Sequence, residues 1–433
     1  MSRHLLHPRT ELTDTLERIY AYKMTTTSGG NLSIKDDNGD IWITPARVDK
    51  GALRPTDIVR IRPDNSTDGP HKPSSEHPFH QAIYAVRPDI RAIVHAHPVA
   101  LVAFSICRQT PDTSLFPQAA HICGKVGYAP YALPGSHALG QNIADTFARG
   151  FSSVILENHG VVVGGTSLQD AFQRFETLEF LAKTLIKARL LGTPQFLSPE
   201  QLALAERPRG ILPEFDPPPP TTHEKSLRQQ LSDFIRRGYR QRLLTSTGGS
   251  FSARLDPATF LISCTGVDRK SLDLDGLALI HNGRAEAGKR PSRAVALHAA
   301  IYENHPDVHA IANALSVNAT AFSVTGAGGK STALDARTIP ESYIFLRDVG
   351  TLPYADQFAD GTAVASQLSM RRPAMLLQNN GCLVLGASVL DAFDRLEVLE
   401  STAEALINAK QIAPLVPMEP HHIDTLITTF NLT

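Results

Sequence analysis

Thr27-Ser-Gly-Gly-Asn-Leu-Ser33 returns later in the chain as Ser246-Thr-Gly-Gly-Ser-Phe-Ser252. Three further blocks, which begin at Ile43, His80 and Asp170, return in the same order at Ile262, His298 and Asp391. A nearly constant offset over four separated blocks indicates that one structural unit is repeated. The sequence therefore predicts a tandem duplication, and the fold of one copy predicts the fold of the other.

A proline-rich stretch separates the two copies and contains the run Pro217-Pro-Pro-Pro220. Proline neither continues a helix nor donates to a sheet ladder, and such runs favour an extended, semi-rigid spacer. We therefore predict a first domain over residues 1–192, a linker over 193–222 and a second domain over 223–433.

Each copy shows the patterns of a mixed α/β domain. Short runs rich in β-branched residues, 58–61, 92–94 and 154–156, are typical of strands. Apolar residues at helical spacing predict a long amphipathic helix over Asp170–Arg189, with a counterpart over Asp391–Lys410. Strands followed by a closing helix favour a sheet covered by helices.

The composition is that of a globular protein that acts on small molecules. The chain has 433 residues, 42% hydrophobic and 20% charged, with a formal net charge of −1. This balance gives no general attraction to nucleic acid or to an anionic membrane. The four cysteines have no C-x-x-C spacing, and no secretory signal opens the chain. We expect a cytoplasmic protein without a membrane or nucleic-acid partner.

Three histidines and a glutamate form a candidate metal site. His95 and His97 follow the apolar run 92–94, and in a strand residues i and i+2 project from the same face. His159 ends another apolar run, and Gly160 after it favours a sharp turn. Three histidines with an open position are typical of a catalytic metal site. Glu76 is a candidate fourth ligand or general base.

The order of these motifs resembles the class II aldolase/adducin family, which includes sugar-phosphate aldolases, epimerases, decarboxylases and dehydratases. The resemblance covers residues 10–190 closely and 225–410 more weakly. The motifs that carry it are Gly30-Asn31-Leu32-Ser33, Ile43-Thr44-Pro45, Pro73-Ser74-Ser75-Glu76, Arg87-Pro88-Asp89 through His95-Ala96-His97, and Asn158-His159-Gly160.

The resemblance implies a fold, a metal and a division of roles. It implies two α/β/α domains, each around a central antiparallel-rich sheet. It implies that His95, His97 and His159 bind Zn²⁺ or another divalent ion such as Mn²⁺, Fe²⁺ or Co²⁺, and that Glu76 is the acid/base. It also implies an anion site for phosphate or carboxylate, formed by Gly30, Asn31, Thr44, Ser74 and Ser75.

The sequence departs from the family pattern at two places. Arg47 stands where the family has glycine, and its guanidinium is a further candidate for holding the anion. The second copy has lost the metal ligands, which predicts one metal site per chain. Its residues at the positions of His95, His97, His159 and Glu76 are Asn313, Leu315, Asn380 and Ala294.

These observations predict a divalent-metal-dependent carbon–carbon lyase that acts on a small sugar phosphate or keto acid through a metal-stabilised enolate. Aldolase and decarboxylase stay open. An epimerase or dehydratase, or a non-catalytic adducin-like scaffold, is the alternative. The family builds its sites at subunit interfaces, so we expect a homodimer that forms a pseudo-four-fold ring, with Tyr343 as the proton donor from the neighbouring chain.

Overall fold

The computed structural model describes residues 6–207, 210–327, 330–358 and 361–432. The outer limits of the predicted domains, and linker residues 208 and 209, lie outside the described residues. The chain forms two compact units, residues 1–113 with 118–183 and residues 114–117 with 184–433.

The first unit contains the elements up to α6, which begins in this unit and ends in the second. In chain order they are α1 Pro8–Ala21, β1 Asn31–Lys35, β2 Ile41–Ile43, β3 Val59–Ile61, β4 Thr67–Asp68, α2 His77–Val86, β5 Ala92–Ala96, α3 Val99–Ile106, α4 Pro117–Cys123, β6 Val126–Ala129, α5 His137–Ala148, β7 Ser153–Leu156, β8 Gly160–Gly165 and α6 Leu168–Leu191.

The eight strands of the first unit form one sheet in the order β4-β3-β2-β1-β5-β8-β7-β6. Within this sheet β6 and β7 pair in parallel, and all other neighbours pair antiparallel. β5 lies near the centre and is buried along its whole length. A central strand covered on both faces reads as a continuous apolar run, as residues 92–94 do.

Helices α2 and α5 cover one face of this sheet. Phe79 and Ile83 of α2, with Ile143 and Phe147 of α5, pack in one cluster with side chains of the sheet such as Ile93. Ser136 begins α5 by accepting a hydrogen bond from the Leu139 amide, which satisfies one of the free donors of the first turn.

The second unit contains the remaining elements in a similar sequence. They are α7 Pro199–Glu206, β9 Glu214–Phe215, α8 Thr222–Arg240, β10 Ser250–Asp256, β11 Thr259–Ser263, β12 Leu277–His281, β13 Arg284–Glu286, α9 Val295–Asn304, β14 Ala310–Ala314, α10 Val317–Ser323, β15 Gly326–Ala327, β16 Lys330–Ser331, α11 Pro340–Leu346, β17 Gly350–Leu352, α12 Gly361–Ala365, β18 Ala374–Leu377, β19 Cys382–Gly386, α13 Val389–Ala409 and α14 Pro420–Thr429.

The main sheet of the second unit has the order β17-β18-β19-β14-β10-β11-β12-β13-β9. Without β9, this is the strand order of the first unit. α9 and α12 pack on one face, through Ile301 and Val364, while α8 and α13 contact β10, β14 and β19. The duplication and the α/β/α fold class are therefore confirmed.

The segment predicted as an extended linker is more structured than its prolines indicate. It contains the helix α7, which Ser198 and Gln201 begin with a capping box, and the strand β9, which pairs in parallel with β13. Pro217–Pro220 lies in neither helix nor strand. An extended spacer is therefore wrong for α7, because local capping outweighs the proline content there, whereas β9 is extended but belongs to the sheet through its pairing with β13. The limits of the domains stay a prediction.

None of the described helices is long and apolar enough to span a bilayer.

A buried histidine in the second unit gives a prediction about acid stability. His298 is 0% exposed. Its Nε2 donates to Asn313 Oδ1 (2.7 Å), so its Nδ1 accepts from the Ser252 hydroxyl (2.7 Å). Burial lowers the pKa of His298 to about 4, although the hydrogen bond to Asn313 acts in the opposite direction. The unfolded chain binds this proton at higher pH than the folded chain does, so stability falls as pH drops from about 6.5 to 4.

We expect His298→Gln to reduce this pH dependence. The loss of unfolding free energy between pH 7 and pH 4.5 should be smaller than in the unchanged protein by about 2 kcal/mol. Urea unfolding at both pH values measures it. His309→Gln is the control, since His309 is exposed. An equal pH dependence in the unchanged protein and the His298→Gln variant would contradict the prediction.

Candidate metal centre

Two of the predicted ligands stand at the end of the central strand. His95 pairs with Asn31 of β1 and Val162 of β8, and its side chain is fully buried. Its Nδ1 donates to the Val161 carbonyl (2.9 Å), which leaves Nε2 as the metal-binding atom. His97 follows two residues later, and its Nε2 lies 3.1 Å from the Nε2 of His95. The strand periodicity therefore brings both rings together as the sequence predicts.

The turn between β7 and β8 supplies the third histidine. Its left-handed residue is Asn158 (φ 53°), and the His159 amide donates to the Leu156 carbonyl (3.1 Å). Gly160 serves close packing: a Cβ there would lie 2.6 Å from His97 Cδ2 and 2.7 Å from the Ala96 carbonyl oxygen. The sharp turn is thus made by Asn158, and the glycine makes room for His97.

The donor set of His95, His97 and His159 fits a divalent metal ion. One ligand nitrogen from each ring lies within 4.8 Å of the other two, the single such group found among the described residues. Zinc–nitrogen bonds of about 2.1 Å in a tetrahedron place the nitrogens roughly 3.4 Å apart, close to the separation of His95 and His97. The three imidazole rings could therefore bind one metal ion with only small movements of their side chains.

Glu76 lies against the same three rings. Its Oε2 is 3.2 Å from His95 Nε2, and its Oε1 is 3.7 Å from His159 Nε2. The Oε1 atom is buried and has no hydrogen-bond partner among the described residues. A buried carboxylate oxygen without a donor is costly, so this atom suits contact with a cation or with a proton to be moved.

The environment of the site favours an ionised Glu76 and the neutral forms of His97 and His159. Burial opposes ionisation of Glu76, but the charge and hydrogen bond of His95, with Asn31 and His159, hold the pKa of that carboxyl well below its usual range. Burial, followed by the neighbouring histidines, lowers the pKa of His97 to about 3 and that of His159 to about 4. Neutral imidazole is the form that binds a metal.

A buried hydrogen-bond chain behind Glu76 was missed by the sequence reasoning. The Tyr84 hydroxyl and His80 Nδ1 each lie 2.7 Å from Ser33 Oγ, and His80 Nε2 donates to Asn31 Oδ1 (2.5 Å). Asn31 Nδ2 then donates to Glu76 Oε2 (2.8 Å). The sequence does contain a signal for these residues, since the block His80–Tyr84 recurs as His298–Tyr302. That recurrence indicates the duplication, but it does not show that the side chains form hydrogen bonds to Ser33 and Asn31.

Only some of the predicted anion-site residues contact residues of the metal site, among them Gly30 and Ser74. Gly30 has φ 71°, and a Cβ there would lie 2.7 Å from the His95 carbonyl oxygen. Ser74 Oγ accepts from the Glu76 amide (3.3 Å), and Thr44 Oγ1 accepts from the Leu32 amide (3.1 Å). Both hydroxyl oxygens thus serve as acceptors within the protein, and with Thr44 0% and Ser74 5% exposed, their contact with an anion stays a prediction.

Arg47 and Ser75 are exposed and have no hydrogen bond from their side chains among the described residues. Arg47 has φ 56°, and its counterpart Gly266 has φ 74°. The backbone therefore keeps the left-handed conformation that favours glycine, and the arginine adopts it at a cost. Its role toward an anion stays a prediction.

Tyr343, the predicted proton donor, lies in α11 of the second unit. Its side chain is 8% exposed. Its contribution to a neighbouring chain's site stays a prediction.

The second unit keeps the scaffold of the site and replaces its metal-binding atoms. Asn313 pairs with Ser250 as His95 pairs with Asn31, and Ala294 precedes α9 as Glu76 precedes α2. Asn313 now accepts the His298 hydrogen bond that Asn31 accepts in the first unit. An amide thus replaces an imidazole while the buried histidine stays satisfied.

Because Gly160 packs so closely against His97, adding one methyl group at residue 160 is expected to weaken metal binding. We expect Gly160→Ala to displace the His97 ring and to weaken metal binding by about 10–100-fold, the range seen when the support of a ligand is lost. Competition with a chromogenic chelator measures the affinity. Gly350→Ala is the control, since a Cβ there meets nothing within 4 Å. Unchanged affinity in Gly160→Ala would contradict this interpretation of the turn.

Comparison with known proteins agrees with this architecture. The family described as Class II Aldolase and Adducin N-terminal domain matches residues 10–186 and again 229–407. Similar proteins include 3-oxo-tetronate 4-phosphate decarboxylase of Escherichia coli K12, which is 34% identical over 182 residues, 41% of this chain and 85% of that protein. L-fuculose phosphate aldolase of Methanococcus maripaludis is 34% identical over 174 residues, 40% of this chain and 93% of that protein.

Among solved structures, one described as L-fuculose 1-phosphate aldolase is 30% identical, with a TM-score of 0.43 over 47% of this chain and 97% of that chain. The two matched segments together span most of the sequence and coincide with the two repeated sheets. The chain belongs to the class II aldolase and adducin family, with two copies of the family domain in tandem.

Proposed function

We propose that this protein is a divalent-metal-dependent carbon–carbon lyase, an aldolase or a decarboxylase, acting on a small sugar phosphate or keto acid. The observation that carries the proposal is the convergence of three imidazole nitrogens beside the buried carboxylate of Glu76. Such a set combines an open metal position with a proton carrier.

Each residue has a distinct task in this proposal. His95, His97 and His159 hold Zn²⁺ or another divalent ion, with Glu76 as a candidate fourth ligand. A bound divalent metal is a Lewis acid, which stabilises the negative charge that an enolate develops. Glu76 carries the proton, and Asn31 fixes the direction of its carboxylate. Gly30, Thr44, Ser74 and Ser75, with Arg47, are the proposed contacts of a phosphate or carboxylate group.

Aldol cleavage and decarboxylation differ in the need for a donor to the leaving group. The similar proteins include both an aldolase and a decarboxylase. We expect Tyr343→Phe to lower aldol cleavage by about 10²–10⁴, the usual contribution of a proton donor, and to change decarboxylation little. Equal rates of aldol cleavage before and after the substitution would exclude Tyr343 as the donor.

The alternatives use the same fold with different chemistry. An epimerase or dehydratase would use the same metal and Glu76. A non-catalytic scaffold describes the second unit, where amide and aliphatic side chains stand at the ligand positions. The first unit favours catalysis, because a scaffold has no need for a buried carboxylate oxygen without a hydrogen-bond partner among the described residues beside three converging imidazoles.

The assembly and the location of the protein are also proposals. We propose a homodimer in which two chains form a pseudo-four-fold ring, since the second copy retains the scaffold without the ligands. Light scattering tests it, and a strictly monomeric, active protein would exclude it. A cytoplasmic location remains the proposal made from the cysteine pattern.

The test of the function combines metal content with a substrate screen. Protein purified without chelators is assayed for CO₂ release from 3-oxo-tetronate 4-phosphate and for aldehyde release from L-fuculose 1-phosphate, the compounds in the names of similar proteins. We expect turnover on a compound of one of these classes, lost with chelator and restored by a divalent metal. Bound metal without turnover on sugar phosphates or β-keto acids would overturn the lyase proposal.

A further inference from the structure

The buried hydrogen-bond chain behind Glu76 has a direction. Ser33, His80 and Tyr84 are each at most 3% exposed, so water does not compete for their hydrogen bonds. Burial lowers the pKa of His80 to about 3, which keeps the imidazole neutral, with one N–H and one acceptor nitrogen. The N–H is on Nε2, which donates to Asn31 Oδ1 (2.5 Å), so Nδ1 accepts from the Ser33 hydroxyl (2.7 Å). Burial raises the pKa of Tyr84, so its hydroxyl keeps the proton that Ser33 Oγ accepts (2.7 Å).

The side chain of Asn31 passes this direction on to Glu76. An amide has a carbonyl oxygen on one side and an NH₂ group on the other. Because His80 presents an N–H, Oδ1 of Asn31 faces the imidazole, and Nδ2 faces Glu76 and donates to Oε2 (2.8 Å). The opposite tautomer of His80 would turn the amide over and place its oxygen against the carboxylate, with no proton between two acceptors. The tautomer of His80 therefore decides whether the amide holds Glu76 or repels it.

The second unit contains the same chain as far as the histidine. The Tyr302 hydroxyl lies 2.8 Å from Ser252 Oγ, which lies 2.7 Å from His298 Nδ1. His298 Nε2 then donates to Asn313 Oδ1 (2.7 Å), and an alanine stands where the first unit has its glutamate. The tyrosine, serine and histidine thus belong to the scaffold that both units share. The link from the amide to a glutamate is a feature of the first unit.

We propose that His80 is a positioning residue for Glu76 and acts through the side-chain amide of Asn31. The inference rests on the proposed function in one respect, since it takes Glu76 as the acid/base. A proton carrier must keep its oxygen within hydrogen-bond reach of the proton that it moves, and neighbouring hydrogen bonds lock the rotamer that does so. Asn31 holds Oε2, which leaves Oε1, buried and without a hydrogen-bond partner among the described residues, to move the proton.

Two substitutions of His80 separate its N–H from the rest of its side chain. Glutamine can place an N–H close to the position of the imidazole Nε2, whereas the shorter asparagine reaches only the position of Nδ1. His80→Gln therefore keeps the donor to Asn31, and His80→Asn removes it. The matched control is His298→Asn, the same change in a histidine that is also 0% exposed and has equivalent partners in the second unit.

The direction of the chain is tested in the metal-free, full-length protein by NMR. With ¹⁵N-labelled histidine, we expect neutral His80 to carry its proton on Nε2, the signals being assigned by their loss in His80→Gln. With ¹⁵N-labelled asparagine, one side-chain N–H of Asn31 should be shifted downfield by its bond to a carboxylate and protected from exchange. That signal should persist in His80→Gln and disappear in His80→Asn. A proton on Nδ1 of His80, or an unchanged Asn31 signal in His80→Asn, would overturn the proposal.

The consequence for turnover is tested on the metal-loaded protein. The substrate is 3-oxo-tetronate 4-phosphate or L-fuculose 1-phosphate, whichever the protein converts. We expect His80→Asn to lower kcat by about 10–100-fold, the usual cost of losing a partner that orients a residue of the site, with KM and metal content unchanged. His80→Gln should retain kcat, and His298→Asn should leave it unchanged.

A double-substitution cycle with Glu76→Gln distinguishes positioning from support of the fold. Once residue 76 no longer carries a proton, its orientation does not affect turnover, so His80→Asn should lower the remaining kcat no further. An equal fold-loss with and without the Glu76 carboxylate, or an equal loss in His298→Asn, would show that His80 only supports the fold. Failure to convert either substrate would count against the proposed function, and the tautomer of His80 and the Asn31 signal would still decide this inference.

Discussion

Replacing His159 by alanine is expected to remove metal binding and turnover together. His159 supplies one of three imidazole nitrogens that lie within 4.8 Å of one another, and two histidines do not form the three-histidine set of a catalytic site. We expect the metal affinity to fall by roughly 100-fold or more, because loss of an outer partner of a ligand already costs about 10–100-fold. Elemental mass spectrometry on protein purified without chelators or a histidine tag measures the metal per chain.

Asn380→Ala is the matched control for this substitution. Asn380 stands at the corresponding turn of the second unit, where its Nδ2 donates to Gln357 Oε1 (2.9 Å). It should retain about one metal ion per chain, as expected for one intact three-histidine site. His95→Ala should have the same effect as His159→Ala, although burial of His95 requires that folding be checked alongside. A His159→Ala protein with a full complement of metal would show that these histidines are not the site.

Glu76→Gln is expected to keep the metal and lose turnover by about 10²–10⁴, the usual contribution of general acid–base catalysis. Glutamine has nearly the shape of glutamate and still offers an oxygen to Asn31 Nδ2, whose present bond to Glu76 is 2.8 Å long. It does not carry a proton as a carboxylate does. Metal content and kcat on the substrate found in the screen, measured on the same preparation, separate the two roles.

The control for Glu76→Gln is Glu303→Gln, the same chemical change at an exposed position of the second unit. It should alter neither metal content nor kcat. Full activity in Glu76→Gln would remove Glu76 from the acid/base role. Loss of metal together with activity would instead indicate that Glu76 is chiefly the fourth ligand.

Features that depend on local spacing were predictable without the structure. The i and i+2 positions of His95 and His97 lie on one strand face whatever packs around them, and the structure places their Nε2 atoms 3.1 Å apart. The repeated blocks predicted the shared strand order of the two sheets in the same way. Periodicity within a strand and recurrence along a chain are both properties that a sequence displays without any knowledge of its fold.

Three features required knowledge of which distant segments meet. His80 orients Asn31 only because α2 packs beside β1, and Gly160 is required only because the turn after β7 touches His97. Within the linker, β9 likewise forms only because the distant strand β13 offers it a free edge. The capping box of α7, between Ser198 and Gln201, is by contrast a local signal that the sequence reasoning missed.

The sequence by itself determined the duplication, the family and the identity of the candidate ligands. The tertiary structure alone decided how Glu76 is held and why residue 160 is glycine. The physical reason is that hydrogen bonds and steric contacts join residues far apart in the chain. Their distances are set by strand register and helix packing, which local patterns do not encode.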